Sequence, residues 1–118
     1  MLFRSADPRV LQLVAATVDA ANTAGVTVDV CGESASVPEL AALYIGLGVD
    51  ELSVAPARLD ELRATVRALS AEQASAVAER ALAARSEDAV LALARELVSG
   101  ELGDQRGEVL GGRDGVLA

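Results

Sequence analysis

The chain has no histidine, no lysine and no tryptophan; all ten of its basic residues are arginine. Within these 118 residues that excludes a histidine base, a phosphohistidine, a Schiff-base lysine and a phosphate-loop lysine. Aromatics amount to one Phe and one Tyr, so any core must be built from Ala, Val and Leu, with many small contacts in place of a few large anchors. A single cysteine leaves no partner for an internal disulfide, which suits a reducing, cytoplasmic setting. No apolar run reaches the ~18 residues that a spanning helix needs. The opening Met1-Leu2-Phe3-Arg4-Ser5-Ala6-Asp7 is too short and polar for a signal peptide, so no membrane is expected. A net charge of −8 argues against nucleic acid and anionic lipid, both of which need a positive surface.

What is present is a regular alternation of elements, long enough for one domain. Asp7-Pro8 reads as an N-cap with proline at the first helical position, and Val10, Leu11, Val14, Val18 and Ala21 recur on one face up to a stop at Gly25. Val26 to Val30 is a β-branched strand. Ser36-Val37-Pro38-Glu39 has the spacing of a capping box, opening a helix through Leu40, Leu43, Tyr44 and Leu47 that Gly46 and Gly48 close. Glu51 to Val54 is a second strand, ended by Pro56. A third helix then turns Leu59, Leu62, Val66 and Leu69 toward a core.

Ser70 with Gln73, and Ser86 with Glu87 and Asp88, open two more helices. Tyr44 and Phe3 read as packing residues. The charges of Arg58–Arg67 and Glu79–Arg95 read as solvated faces with i,i+4 pairs. Residues 1–98 form the structured part, and the glycine-rich stretch 99–118 reads as a flexible tail. Strands alternating with helices mean a parallel sheet with crossovers, an α/β fold. Two strands are too few for such a sheet, because both are edges with one face uncovered. The strand-bearing part therefore reads as a piece of a larger α/β structure.

Chemistry concentrates at Cys31. The run Thr27-Val28-Asp29-Val30-Cys31-Gly32-Glu33 puts a thiol at the carboxyl end of a strand, where parallel α/β proteins keep their reacting groups. A buried, inert cysteine is the bland alternative. A free thiol has a pKa of about 8.5, so at neutral pH it is an acid with a proton to give.

Val30-Cys31-Gly32-Glu33, followed by Gly46-Leu47-Gly48-Val49-Asp50-Glu51-Leu52-Ser53-Val54, resembles the end of the barrel of phosphoenolpyruvate-utilising enzymes. The pattern is most similar to enzyme I of the bacterial sugar phosphotransferase system; pyruvate phosphate dikinase and phosphoenolpyruvate synthase share much of it. Asp7-Pro8-x-Val10-Leu11-x-Leu13 and the three closing helices also look like enzyme I. The motif here continues Ala35-Ser36-Val37, where the family usually has Ala-Gly-Asp.

The resemblance implies a partial (β/α)8 barrel: the last two βα units, with additional C-terminal helices. A complete barrel takes about 250 residues. It also implies that phosphoenolpyruvate gives its phosphoryl group to a histidine on another domain, which passes it to a phosphocarrier protein. Cys31 then protonates the enolate to pyruvate. Gly32 and Glu33 would touch the substrate region, the glycine by allowing close backbone approach. Magnesium is implied for the complete enzyme, with ligands outside this chain, and a homodimer is the family's assembly. Alone, such a fragment would be inactive. The alternatives are an inactive relative serving as an oligomerisation or interaction module, or a piece of a dikinase or synthase.

Overall fold

Asp7 and Pro8 start the first helix in the way their side chains dictate. In the computed structural model, which describes residues 6–100, α1 runs Pro8–Ala24. The Asp7 carboxylate accepts the Arg9 amide N–H at 2.8 Å, and Pro8 has no N–H to leave unpaired. The same carboxylate takes the Arg9 side chain at 3.0 Å, and this hydrogen bond, aided by its charge, holds the guanidinium above its ordinary pKa. Leu11, Val18 and Ala21 are buried, and Gly25 caps the end as the sequence predicts.

Six further elements follow, with short 3-10 turns at Glu33–Ser36 and Pro56–Arg58. They are β1 (Asp29–Cys31), α2 (Pro38–Leu47), β2 (Glu51–Ser53), α3 (Leu59–Ala68), α4 (Ala71–Leu82) and α5 (Glu87–Ser99). The two strands pair in parallel in the register Asp29↔Glu51, Val30↔Leu52, Cys31↔Ser53, with α2 as the crossover. The fold is thus α/β, rich in helix, with a small parallel sheet.

The strand expected over Val26 to Val30 begins later and reaches one residue further. Val26 gives its N–H to the Ala21 carbonyl in the cap of α1, and Val28 gives its own to the Asp50 carboxylate at 2.8 Å. Both donors are spent before regular pairing starts at Asp29. The second strand matches to within a residue.

Helix α2 is the hub. Leu40, Ala41, Ala42, Leu43 and Tyr44 are all buried, the all-round apolar surface of a helix enclosed by neighbours. Around it pack Leu11 and Val18 of α1, Ala74, Val77 and Ala81 of α4, and Val90, Ala94 and Leu97 of α5. Val30 and Leu52 rest on the same core. Fully burying a leucine such as Leu11 or Leu43 is worth about 1.5–3 kcal/mol. The predicted caps of α4 and α5 form, with Ser70 Oγ accepting from Gln73 and Ser86 Oγ from Ala89.

Four expectations are corrected. The capping box at Ser36 does not form: Ser36 closes the 3-10 turn, donates its hydroxyl to the Glu33 carbonyl at 2.9 Å, and leaves Val37 as N-cap without a side-chain bond. Gly46 does not stop α2 but lies inside it, because a Cβ there would overlap the Ala74 carbonyl of α4. On α3 only Leu62 is buried; Leu59 and Val66 are 37% and 39% exposed. Arg58 pairs with Glu61 at i,i+3, not i,i+4. Phe3 lies outside the described residues, as does the glycine-rich tail from residue 101 on; Ser99 still belongs to α5.

Candidate active site

Alternation along a strand sorts the sheet into two faces. Val30 and Leu52 point into the core, half-buried, while Asp29, Cys31, Glu51 and Ser53 are exposed. One face is therefore wholly polar and uncovered by the described residues. Across it the Ser53 hydroxyl donates to the Asp29 carboxylate, 3.1 and 3.0 Å from its two oxygens. Cys31, the register partner of Ser53, ends β1 with its thiol free and exposed. Adjacent strands lie about 4.8 Å apart, so thiol and hydroxyl belong to neighbouring positions on this face.

Directly after the thiol the backbone turns sharply. Gly32 adopts φ 100° and ψ −177°, a region that residues with a Cβ essentially do not enter. A Cβ at Gly32 would meet nothing within 4 Å, so the fold requires glycine here for its dihedral angles. The turn leads into the 3-10 segment, where Ser34 is held by the buried Tyr44, whose phenol donates to Ser34 Oγ at 3.0 Å. Tyr44, read from sequence only as packing, thereby ties the loop behind Cys31 to the hub helix. The signal that could have found it is a tyrosine in an apolar helix, whose hydroxyl needs a partner once buried.

Glu33 is exposed. It lines a hollow of about 450 Å³ with Ser34, Val37, Leu40 and Leu91, to which Cys31 does not contribute. Of the three predicted site residues, Cys31 and Gly32 lie at the strand tip, and Glu33 opens the 3-10 turn that follows. Neither strand bears an arginine, so the thiol's face carries the carboxylates of Asp29 and Glu51 and no cation of its own. Among the described residues no three His, Cys, Asp or Glu side chains gather as a metal ion would need.

The model of the PEP-binding domain of PEP-utilising enzymes matches residues 1–71. Among curated proteins, the phosphoenolpyruvate-protein phosphotransferase of Cupriavidus necator is 38% identical over 96 residues, covering 81% of this chain and 16% of that protein. The protein of the same name from Streptomyces coelicolor is 39% identical over 94 residues, 80% of this chain and 17% of its own length. That from Haloferax volcanii is 40% identical over 77 residues, 65% of this chain and 14% of its own length. The chain thus spans about a sixth of the length of the curated relatives it matches.

Proposed function

Because the chain belongs to the PEP-utilising enzymes, through the PEP-binding domain matched over residues 1–71, we propose that it supplies the thiol acid of a phosphoenolpyruvate–protein phosphotransferase. The observation that carries this reading is the placement of Cys31: exposed, at the carboxyl tip of a parallel strand, on a polar face that nothing described covers. Parallel sheets are ordinarily buried on both faces. We read β1 and β2 as the seventh and eighth strands of a (β/α)8 barrel, as the resemblance implies, with the thiol at its mouth; the open polar face and two unpaired edges support that reading.

Phosphoryl transfer breaks the P–O bond of phosphoenolpyruvate and leaves an enolate. The acceptor is a histidine of another domain, since this chain has none. Cys31 then acts as general acid at the methylene carbon: a C–H bond forms as the S–H bond breaks, and sulfur keeps the electron pair. Solvent returns a proton to the thiolate before the next turnover. The pairing of β1 places Cys31, and Gly32 turns the chain sharply away after it, its missing side chain keeping the approach open. Glu33, exposed on the loop that follows the thiol, would orient that loop or meet the substrate region. The arginines that would hold phosphate, the magnesium ligands and the histidine lie outside this chain; a phosphocarrier protein takes the phosphoryl group onward, and the assembly is a homodimer.

Complementation tests the reading. The Streptomyces coelicolor relative, trimmed of the segment that this chain matches, is mixed with this chain, and a chimera carries this chain in place of that segment. Pyruvate forming from phosphoenolpyruvate in either preparation, and not with this chain alone, is the expected result. Inactivity of both the mixture and a folded chimera would reject it in favour of an interaction module without catalysis.

A further inference from the structure

Two strands of three residues each carry the thiol, and among the described residues neither has a second neighbour. Whatever fixes their register therefore fixes where Cys31 stands. Burial does part of this. A slip of one residue would turn Val30 or Leu52 out of the core, which the alternation of faces forbids. A slip of two residues keeps every face as it is and moves the thiol about 6.6 Å along the sheet. Apolar packing alone does not prevent it.

The fastening stands at the foot of the sheet. Val28, just before β1, accepts the N–H groups of Asp50 and Glu51 on its carbonyl at 3.0 and 3.1 Å. The Asp50 carboxylate takes the Val28 N–H in return, at 2.8 Å. Both backbone groups of Val28 are thus held from one place, and the bond to the charged acceptor is the shortest of the three. Asp50 is itself tied to the hub helix. Val49, the residue before it, is buried and gives its N–H to the Tyr44 carbonyl at 3.0 Å in the cap of α2. The contacts run from α2 through Asp50 to Val28, three residues ahead of Cys31.

We propose that Asp50 is a positioning residue for Cys31: by holding Val28, its carboxylate sets the register that places the thiol opposite Ser53. This rests on the reading of Cys31 as the acid, since only then does its place along the strand bear on the chemistry. Asp50 precedes β2, at the other end of the sheet from the thiol, and acts through Val28 rather than on substrate. Reacting atoms must come within about 3–3.5 Å of one another, so a thiol out of register is a poor proton donor.

A cross-link reads the register directly. Because the chain has one cysteine, Ser53→Cys creates a single pair able to form a disulfide. Neighbouring strands lie about 4.8 Å apart, within the range such a bridge requires. With oxidised glutathione taking up the two electrons, the full chain carrying Ser53→Cys should lose both thiols to an internal bridge. Adding Asp50→Ala should slow that loss about fivefold or more. Asp50→Asn, whose amide oxygen still accepts the Val28 N–H, should restore the rate. Ser86→Ala, at the distant cap of α5, controls for lost stability and should leave the rate unchanged. In the chimera, Asp50→Ala should lower pyruvate release about tenfold or more while phosphorylation of the histidine persists. No bridge at all, a rate indifferent to Asp50→Ala, or equal slowing by Ser86→Ala would overturn the proposal, whether or not the chimera makes pyruvate. Cross-linking that depends on Asp50 in a folded but inactive chimera would uphold the register clamp and reject the acid role of the thiol.

Discussion

Gly32 decides how the chain leaves β1 directly after the thiol of Cys31. Its φ of 100° with ψ of −177° is held by the chain on either side: a paired strand before it, and a 3-10 turn anchored by Tyr44 after it. Because no atom crowds the position, Gly32→Ala should cost stability through backbone strain alone, about 1–3 kcal/mol in urea unfolding. Cys31→Ser, at an exposed site with no hydrogen bond to lose, should change stability by less than about 0.5 kcal/mol. A Gly32→Ala variant as stable as the unsubstituted chain would show that the turn is not a constrained joint. The thiol's position was legible in the sequence because a β-branched run that meets Cys-Gly is a local signal. The hollow beside Glu33 was not, since it is built with Leu91, far along the chain.

Among the elements, caps that rest on a side chain and a nearby backbone N–H could be read directly: Asp7, Ser70 and Ser86 each make the bond their spacing predicts. Ser36 shows where such reading fails. The serine has the right spacing, but the 3-10 turn before it takes the hydroxyl for the Glu33 carbonyl. Ser86→Ala should therefore cost about 1 kcal/mol, and Ser36→Ala distinctly less; equal costs in chemical denaturation would contradict the cap assignments. Gly46 failed for a different reason. Glycine late in a helical pattern looks like a stop, and only the non-local approach of Ala74 and Ala78 shows that it is a contact point between α2 and α4. Gly46→Ala gains helix propensity but must push the two helices apart. A net loss of about 1–3 kcal/mol in thermal or urea unfolding is the expected outcome, and a stabilised variant would rule out the close crossing.

At the scale of the whole molecule the chain is a helical cluster around α2 carrying a sheet finished on one side only. Small aliphatics suffice for the cluster because α2 is enclosed by α1, α4 and α5. The sheet has no such closure: its outer face is polar and both strands are edges. That incompleteness was visible in the count of strands alone, whereas the exposure of Leu59 and Val66 could not be inferred, because periodicity marks an apolar face without saying what covers it. The absence of histidine and the span of about a sixth of the relatives agree with the function proposed above, in which the acceptor and the substrate's other contacts come from beyond these residues.

The proton step is what the account finally depends on, and one comparison isolates it. In the chimera with the Streptomyces coelicolor relative, Cys31→Ala is assayed for phosphorylation of the histidine and, in parallel, for pyruvate release. Phosphorylation should persist while pyruvate release falls by about a hundredfold or more, the contribution of a positioned general acid. Pyruvate release at the unsubstituted rate would contradict the account, because some other group would then be delivering the proton.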